Sequence, residues 1–231
     1  DVAPDAAELL LFGNAGRTGV ARDLSFAGTD FSVGAVTTAA LSVAQPLRLR
    51  LGPIPDQHFA VGVTGKYLVG NAWASGRYQG GGATADPLGV SLDLPIVQSD
   101  SSFDDAGYGD RGHGWGLDLA AAWQGGPWRA AVVVKNVVNS FAWNPEGFWW
   151  RAGTATFDQD TSSSDFDARP LSSAPAAVRA RLDEATYARE LALGGAWRVS
   201  RRLLLTADAR RRMGEGTMNA GPEQYTGAGV E

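Results

Sequence analysis

The chain of 231 residues has no cysteine and only two histidines, two methionines and two lysines. Without cysteine, neither a disulfide framework nor a thiolate metal site can form. No stretch approaches the roughly 18–20 consecutive apolar residues of a membrane-crossing helix, so a helical membrane protein is excluded. Asp1, Asp5 and Glu8 stand where a signal peptide would carry a basic segment and a long apolar core. The formal net charge is −5, which argues against a nucleic-acid-binding face. What the chain does have is eight tryptophans, 30 glycines and a charged fraction of only 19%. That is too little charge, and too many aromatics, for a disordered segment.

Residues 4–12 read as a short helix, with Pro4 at its first position, acids in the first turn and Gly13-Asn14 as its stop. Beyond it, period-two alternation takes over. Phe31, Val33, Ala35, Leu41 and Val43 share one strand face. Phe59, Val61, Val63, Tyr67 and Val69 share a second, and Leu88, Val90, Leu92, Leu94 and Ile96 a third. Trp115, Leu117, Leu119, Ala121 and Trp123 alternate with Gly, Asp and Ala; Trp128, Ala130, Val132 and Val134 follow. Leu191, Leu193 and Trp197, then Leu203, Leu205 and Ala207, complete the set. A helical interruption is expected over 176–188, where Val178, Leu182 and Ala185 recur at helical spacing.

Alternation alone fits a soluble sandwich as well as a membrane barrel. Three features favour the barrel. Charges sit inside strands, opposite the large apolar residues: Lys66, Asp93, Asp118, Lys135, Glu190 and Asp208. A lumen accommodates such charges. Their neighbours on that face are mostly Gly, Ala, Ser and Thr, which suits a crowded barrel interior. Aromatics mark the ends of the apolar faces: Phe59 and Tyr67, Trp115 and Trp123, with Trp128 and Trp197 nearby, as in an interfacial belt. Eighteen of the twenty cationic residues are arginine, and both lysines fall within strands, where a pairing of a lysine with Asp93 or Asp118 is expected.

The segments Glu8–Arg17, Ala60–Gly76, Gly112–Trp143 and Glu190–Ala209 carry a resemblance. In particular, a G-x-G-x-D strand at Gly114–Ala120, the tight turn Gly125–Pro127 and the V-x-N-rich strand Val132–Asn139 follow in order. They resemble bacterial outer-membrane barrels of the long-chain fatty-acid transporter superfamily, in the branch with PorV-like secretion barrels and TraF-like proteins. The resemblance implies an all-β, antiparallel transmembrane barrel of roughly 14 strands. About eight to nine strands are counted here, so residues 1–231 read as a single domain that is a piece of a longer barrel. It lacks the family's N-terminal plug region and its terminal aromatic strand. The resemblance further implies transport or binding of hydrophobic compounds, or service in a secretion or envelope assembly. The implied partners are outer-membrane lipid and lipopolysaccharide, with a hydrophobic small molecule or envelope secretion proteins; the localisation is the bacterial outer membrane.

One count does not close. If the tight connections 125–127 and 200–202 lie at one end, an even number of strands must separate them, yet three begin at Trp128, Phe148 and Glu190. Either a strand hides in 158–187, or 148–157 is not a full strand, or one turn faces the other way.

Catalysis is not expected. His58 and His113 lie in or beside turns, and no Ser beside His113 sits in a strained nucleophile turn. Asp158, Asp160, Asp165 and Asp167 could ligate calcium but lack the glycine of a tight loop, so a solvated acidic loop is the simpler reading. Gly80-Gly-Gly82 has no accompanying Lys-Ser/Thr and is not a phosphate cradle. No cofactor and no metal are expected. Arg210–Arg212 reads as a solvated strand end that could touch lipopolysaccharide head groups. The competing reading is a secreted β-sandwich whose tryptophans stack on carbohydrate.

Overall fold

Where the sequence alternates, the backbone is extended. The computed structural model describes residues 2–13, 19–49, 52–54, 56–85, 89–99, 111–158, 160–219 and 221–231; Asn14, Leu88 and most of the polar linker 98–112 lie outside the described residues. In chain order, helix α1 (Pro4–Phe12) precedes β1 (Leu24–Ser25), β2 (Asp30–Leu47), β3 (His58–Arg77), β4 (Gly80–Thr84), β5 (Gly89–Asp93) and β6 (Ile96–Ser99). Next come β7 (Gly112–Gly125), β8 (Trp128–Asn139), β9 (Ala142–Trp143), β10 (Phe148–Arg151), β11 (Thr154–Phe157), β12 (Ser162–Asp165) and β13 (Arg169–Pro170). Helix α2 (Ala176–Glu184) leads to β14 (Arg189–Ser200), β15 (Leu203–Met213) and β16 (Gln224–Val230). The chain is all-β with antiparallel sheets; the expected helix over 4–12 is present, and the one expected over 176–188 stops at Glu184, leaving Ala185 outside it.

The residues group into two compact units. The first comprises Asp1–Val36, Gly70–Arg111 and Trp143–Asp183; the second comprises Thr37–Val69, Gly112–Ala142 and Glu184–Glu231. In the first unit a small sheet runs in the order β1-β4-β5-β11-β12. Leu24, Phe26 and Ala83 form its core, with Ala6 and Leu9 of α1 packed on them. Arg22 Nη2 holds α1 in place by donating to Asp5 Oδ1 at 2.9 Å and Glu8 Oε2 at 2.8 Å. A second core in this unit gathers Trp73, Trp143 and Phe148, with the rings of Trp143 and Phe148 edge-on at 5.6 Å. A Cβ at Gly70 would lie 2.4 Å from the Trp143 ring, so only glycine lets that ring pack there.

The second unit is a meander in the order β2-β3-β7-β8-β14-β15-β16. Its registers resolve the strand count. Trp128 pairs directly with Trp197 and Glu190 with Lys135, so β8 lies beside β14. Residues 140–188 therefore interrupt the meander after β8, and the chain resumes it at β14. Only β8 and β14 separate the two tight turns, which lie at the same end, and 148–157 is not a full strand but breaks into β10 and β11. At this end the sheet has the connections 48–57, 126–127 and 201–202. At the other end the chain leaves for the long segments 70–111, 140–188 and 214–223. Gly126, at φ +54°, supplies the left-handed conformation in one of the two two-residue turns.

β2 also runs antiparallel to β3: the hydroxyls of Ser42 and Thr64 are 2.8 Å apart, and Ala44 lies beside Gly62. Seven alternating strands leave β2 and β16, the two edges, running in the same direction. Among the described residues no pairing joins these edges, and the sheet is open.

Candidate functional site

Direct cross-strand partners project to the same face of a sheet, so the registers sort every side chain of the second unit. Phe59, Val61, Val63 and Tyr67 stand opposite Trp123, Ala121, Leu119 and Trp115. Leu119, Ala121 and Trp123 stand opposite Val134, Val132 and Ala130. Val134, Val132 and Trp128 stand opposite Leu191, Leu193 and Trp197, and Trp197 opposite Leu205. The apolar sets recognised strand by strand thus merge into one common face. That face is uncovered: Tyr67 and Trp115 are each 53% exposed, Leu193 48% and Leu119 43%.

The six aromatics fall into two rows. Tyr67 and Trp115 are directly opposed toward the long-loop end. Phe59, Trp123, Trp128 and Trp197 lie toward the tight-turn end, the last two stacked with centroids 4.9 Å apart and planes within 5°. Between the rows no position on this face is charged; Arg211, beyond Ala209, is the first charge on it in β15.

The opposite face divides into two zones. Toward the long-loop end lies a belt of paired charges. Lys66 Nζ is 2.6 Å from Asp118 Oδ1 and donates to Asn136 Oδ1 at 2.7 Å. The Asn136 N–H donates to Asp118 Oδ1 at 2.8 Å, and its Nδ2 to the Ala188 carbonyl at 3.0 Å. Lys135 Nζ meets Glu190 Oε1 at 3.0 Å, and Arg210 Nε lies 3.9 Å from Glu190 Oε2. Glu190 and Asn136 are only 5% and 7% exposed, so these polar groups need their partners. Toward the tight-turn end the same face is bare. Ala60, Ala122, Ala131, Gly194 and Ala196 floor a shallow hollow of about 540 Å³, with His58, Gln124 and Arg129 along its rim.

Five of the six charges placed opposite the apolar residues therefore share this face: Lys66, Asp118, Lys135, Glu190 and Asp208, the last opposite Gly194 and Gly227. Asp93 does not. It lies in β5 of the first unit, opposite Gly80 and Thr154. Pro95 is the reason. A proline lacks a ladder N–H and disfavours continuation through Leu94, so the expected strand 88–96 splits into β5 and β6, which enter different sheets. The lysine pairing expected with Asp93 or Asp118 forms with Asp118.

Asn136 is the residue sequence reasoning missed. Its φ of +54° sits in a bulge where Leu117 faces Val138 but Leu119 faces Val134. The signal is present in the sequence: after Val132 and Val134, Lys135-Asn136-Val137-Val138 breaks the alternation.

The remaining candidates stay apart. His58 is opposite Gln124 on the charge-bearing face at the tight-turn end, while His113 is opposite Val69 on the other face at the far end. Asp158 accepts hydrogen bonds from the Asp160 and Thr161 amides and the Thr161 hydroxyl, which hold its carboxyl below the ordinary range. Its oxygens are thus occupied by its own loop. Among the described residues no group of three metal-ligating side chains forms. Gly81, at φ +115°, is explained by packing: a Cβ there would lie 2.3 Å from the Ser91 carbonyl. No protein-family model matches this chain, and no curated protein or solved structure is significantly similar to it.

Proposed function

We propose that the second unit is a wall segment of a bacterial outer-membrane β-barrel, with the aromatic-bordered face toward lipid and the charge-bearing face toward the lumen. The uncovered apolar face, free of charge between two aromatic rows, carries this reading. In water such a face is a liability, because contiguous apolar patches beyond a few hundred Å² mark interaction or membrane surfaces. Its height also fits. Phe59 and Tyr67 are eight residues apart, and eight steps of about 3.3 Å, tilted by roughly 40°, span on the order of 20 Å, near the apolar band of such barrels. Short connections at one end and long ones at the other follow the same pattern, with the tight turns on the periplasmic side.

The role proposed is non-catalytic: binding or passage of hydrophobic compounds. The Ala- and Gly-floored hollow on the lumenal face supports it, because a wall without bulky side chains leaves room for an apolar body. A scaffold role in a secretion or envelope assembly, like that of the PorV-like barrels the sequence resembles, draws on the charge belt, which braces the lumenal face. Strand direction adds a requirement. Since β2 and β16 run the same way, closure into an antiparallel barrel takes an odd number of further strands.

The test is partitioning. The chain is expected to need detergent or lipid to stay dispersed, and its tryptophan emission should be quenched by brominated lipid and not by aqueous iodide. A chain that stays soluble alone, with iodide-quenched tryptophans, would overturn the membrane reading and favour a soluble β-sandwich with Trp128 and Trp197 as a sugar platform.

A further inference from the structure

The tight-turn end carries a charge opposite in sign to the chain's net −5. Arg48 follows β2, Arg129 and Arg198 adjoin Trp128 and Trp197, and Arg201-Arg202 form the turn between β14 and β15. All five are exposed, and among the described residues their side chains make no ion pair and no hydrogen bond. Among the described residues only two acids, Asp56 and Glu231, lie in or beside the turns and strand ends here. The cations of the charge belt differ, since Lys66, Lys135 and Arg210 each face a carboxylate. Unpartnered like charges repel one another, so an anionic surface at this end would stabilise the arrangement.

We infer that this rim binds the phosphate groups of anionic glycerophospholipids, with Arg201 and Arg202 as the contacting residues. The inference rests on the membrane reading above and adds which lipid the tight-turn end meets. Trp197 and Trp128 set the depth: their amphipathic rings belong at the boundary between tails and head groups. Arg201 and Arg202 lie a few residues beyond, at head-group level, and a guanidinium presents paired N–H donors that match phosphate oxygens. Arg129 and Arg198 project to the lumenal face and add to the positive potential of the rim from within. Short turns place this end at the periplasmic leaflet, which is built of glycerophospholipid.

The experiment compares insertion into vesicles of phosphatidylcholine alone with insertion into vesicles also containing phosphatidylglycerol, followed by tryptophan emission and protease protection. Insertion is expected in both, with tighter association to the anionic vesicles that fades at high salt. Each arginine near an anionic surface contributes about a fivefold gain, so R201Q/R202Q should reduce the preference about 25-fold. R129Q/R198Q should reduce it less, and R201K/R202K should largely keep it. An unchanged preference in R201Q/R202Q would overturn the inference while leaving the membrane reading standing. So would an equal or greater preference for vesicles holding lipopolysaccharide in place of phosphatidylglycerol. Failure to insert into either kind of vesicle would sink the membrane reading and this inference with it.

Discussion

Trp128 lies flat against Trp197, with ring centroids 4.9 Å apart and planes within 5°, although the whole segment 140–188 intervenes between their strands. The pair locks β8 to β14, which, like β3–β7 and β15–β16, have no turn joining them at this end. Aromatic pairs contribute about 0.5–1.5 kcal/mol beyond the area they bury. A double-mutant cycle of W128A, W197A and W128A/W197A, read by denaturant unfolding in detergent, should give a coupling of about 1 kcal/mol. A coupling near zero would mean that the rings merely lie side by side.

The Lys66–Asp118 pair should respond differently to single and double substitution. Both side chains are largely shielded from solvent, so Lys66→Met leaves Asp118 with a buried charge answered only by the Asn136 amide. Breaking one side of such a pair costs about 3–5 kcal/mol when fully buried, and about 2–4 kcal/mol is expected at this partial exposure. K66M/D118N should recover most of the loss, because the amide oxygen introduced at position 118 still accepts from the Asn136 N–H and no charge is left unpaired. Equal loss in single and double variants would show that packing, not charge, sets the cost.

Much of this arrangement was legible in the sequence. The apolar sets and the six aromatics came from period-two alternation, and the registers place them on one face. Five of the six charges expected opposite those sets share the other face for the same reason. What the alternation could not carry was any interruption of it. Pro95 ends β5 and sends Asp93 to another sheet, and Asn136 slips the pairing of β7 with β8. The interruption of the meander by residues 140–188 was equally hidden. A local pattern specifies which face a residue takes, but not which distant strand it meets, and β14 finds β8 through contacts such as Trp128–Trp197.

The bulge supplies its own prediction. At φ +54°, Asn136 occupies a conformation that costs a residue with a Cβ roughly 1–2 kcal/mol unless it is glycine or, to a lesser degree, Asn or Asp. N136G loses the side-chain bonds to Lys66 and Ala188 but keeps the backbone geometry; N136A loses both. Denaturant unfolding should find N136A less stable than N136G by about 1 kcal/mol. The reverse order would mean that the left-handed backbone conformation at position 136 carries no cost for a residue with a Cβ.

The first unit should show an acid sensitivity of its own. The Ser25 amide and the Arg22 guanidinium hold the Asp5 carboxyl below its ordinary range. A carboxyl depressed in the folded state stabilises it above the unfolded value, and that contribution disappears as pH falls through the folded value. Hydrogen exchange at the Ser25 amide should therefore accelerate as the pH falls below the ordinary carboxylate range, beyond the intrinsic change. D5N should exchange faster at neutral pH and lose the extra acid response. A wild-type profile matching that of D5N would remove Asp5 as the clasp between α1 and β1.

Adjacent residues on opposite faces give the sharpest test of the membrane reading. Leu119 lies midway between Trp115 and Trp123 on the aromatic-bordered face, and Ala120, next in the chain, points to the other. If lipid covers the first face, Leu119→Arg places a charge near the middle of the apolar band, where it costs about 2–4 kcal/mol. Ala120→Ser adds a hydroxyl to a face that already holds Thr64 and the charge belt, and should be nearly neutral. Folding yield into phosphatidylcholine vesicles, read by heat-dependent mobility on gels, should fall at least tenfold for L119R and hardly at all for A120S. In a soluble sandwich whose core this face forms, L119R would also be harmful, so the two readings part on a second variant. Leu119→Trp adds apolar surface that lipid accepts, whereas a close-packed protein core resists an enlarged side chain at about 1–3 kcal/mol. Wild-type yield for L119W together with loss for L119R identifies the covering phase as fluid lipid.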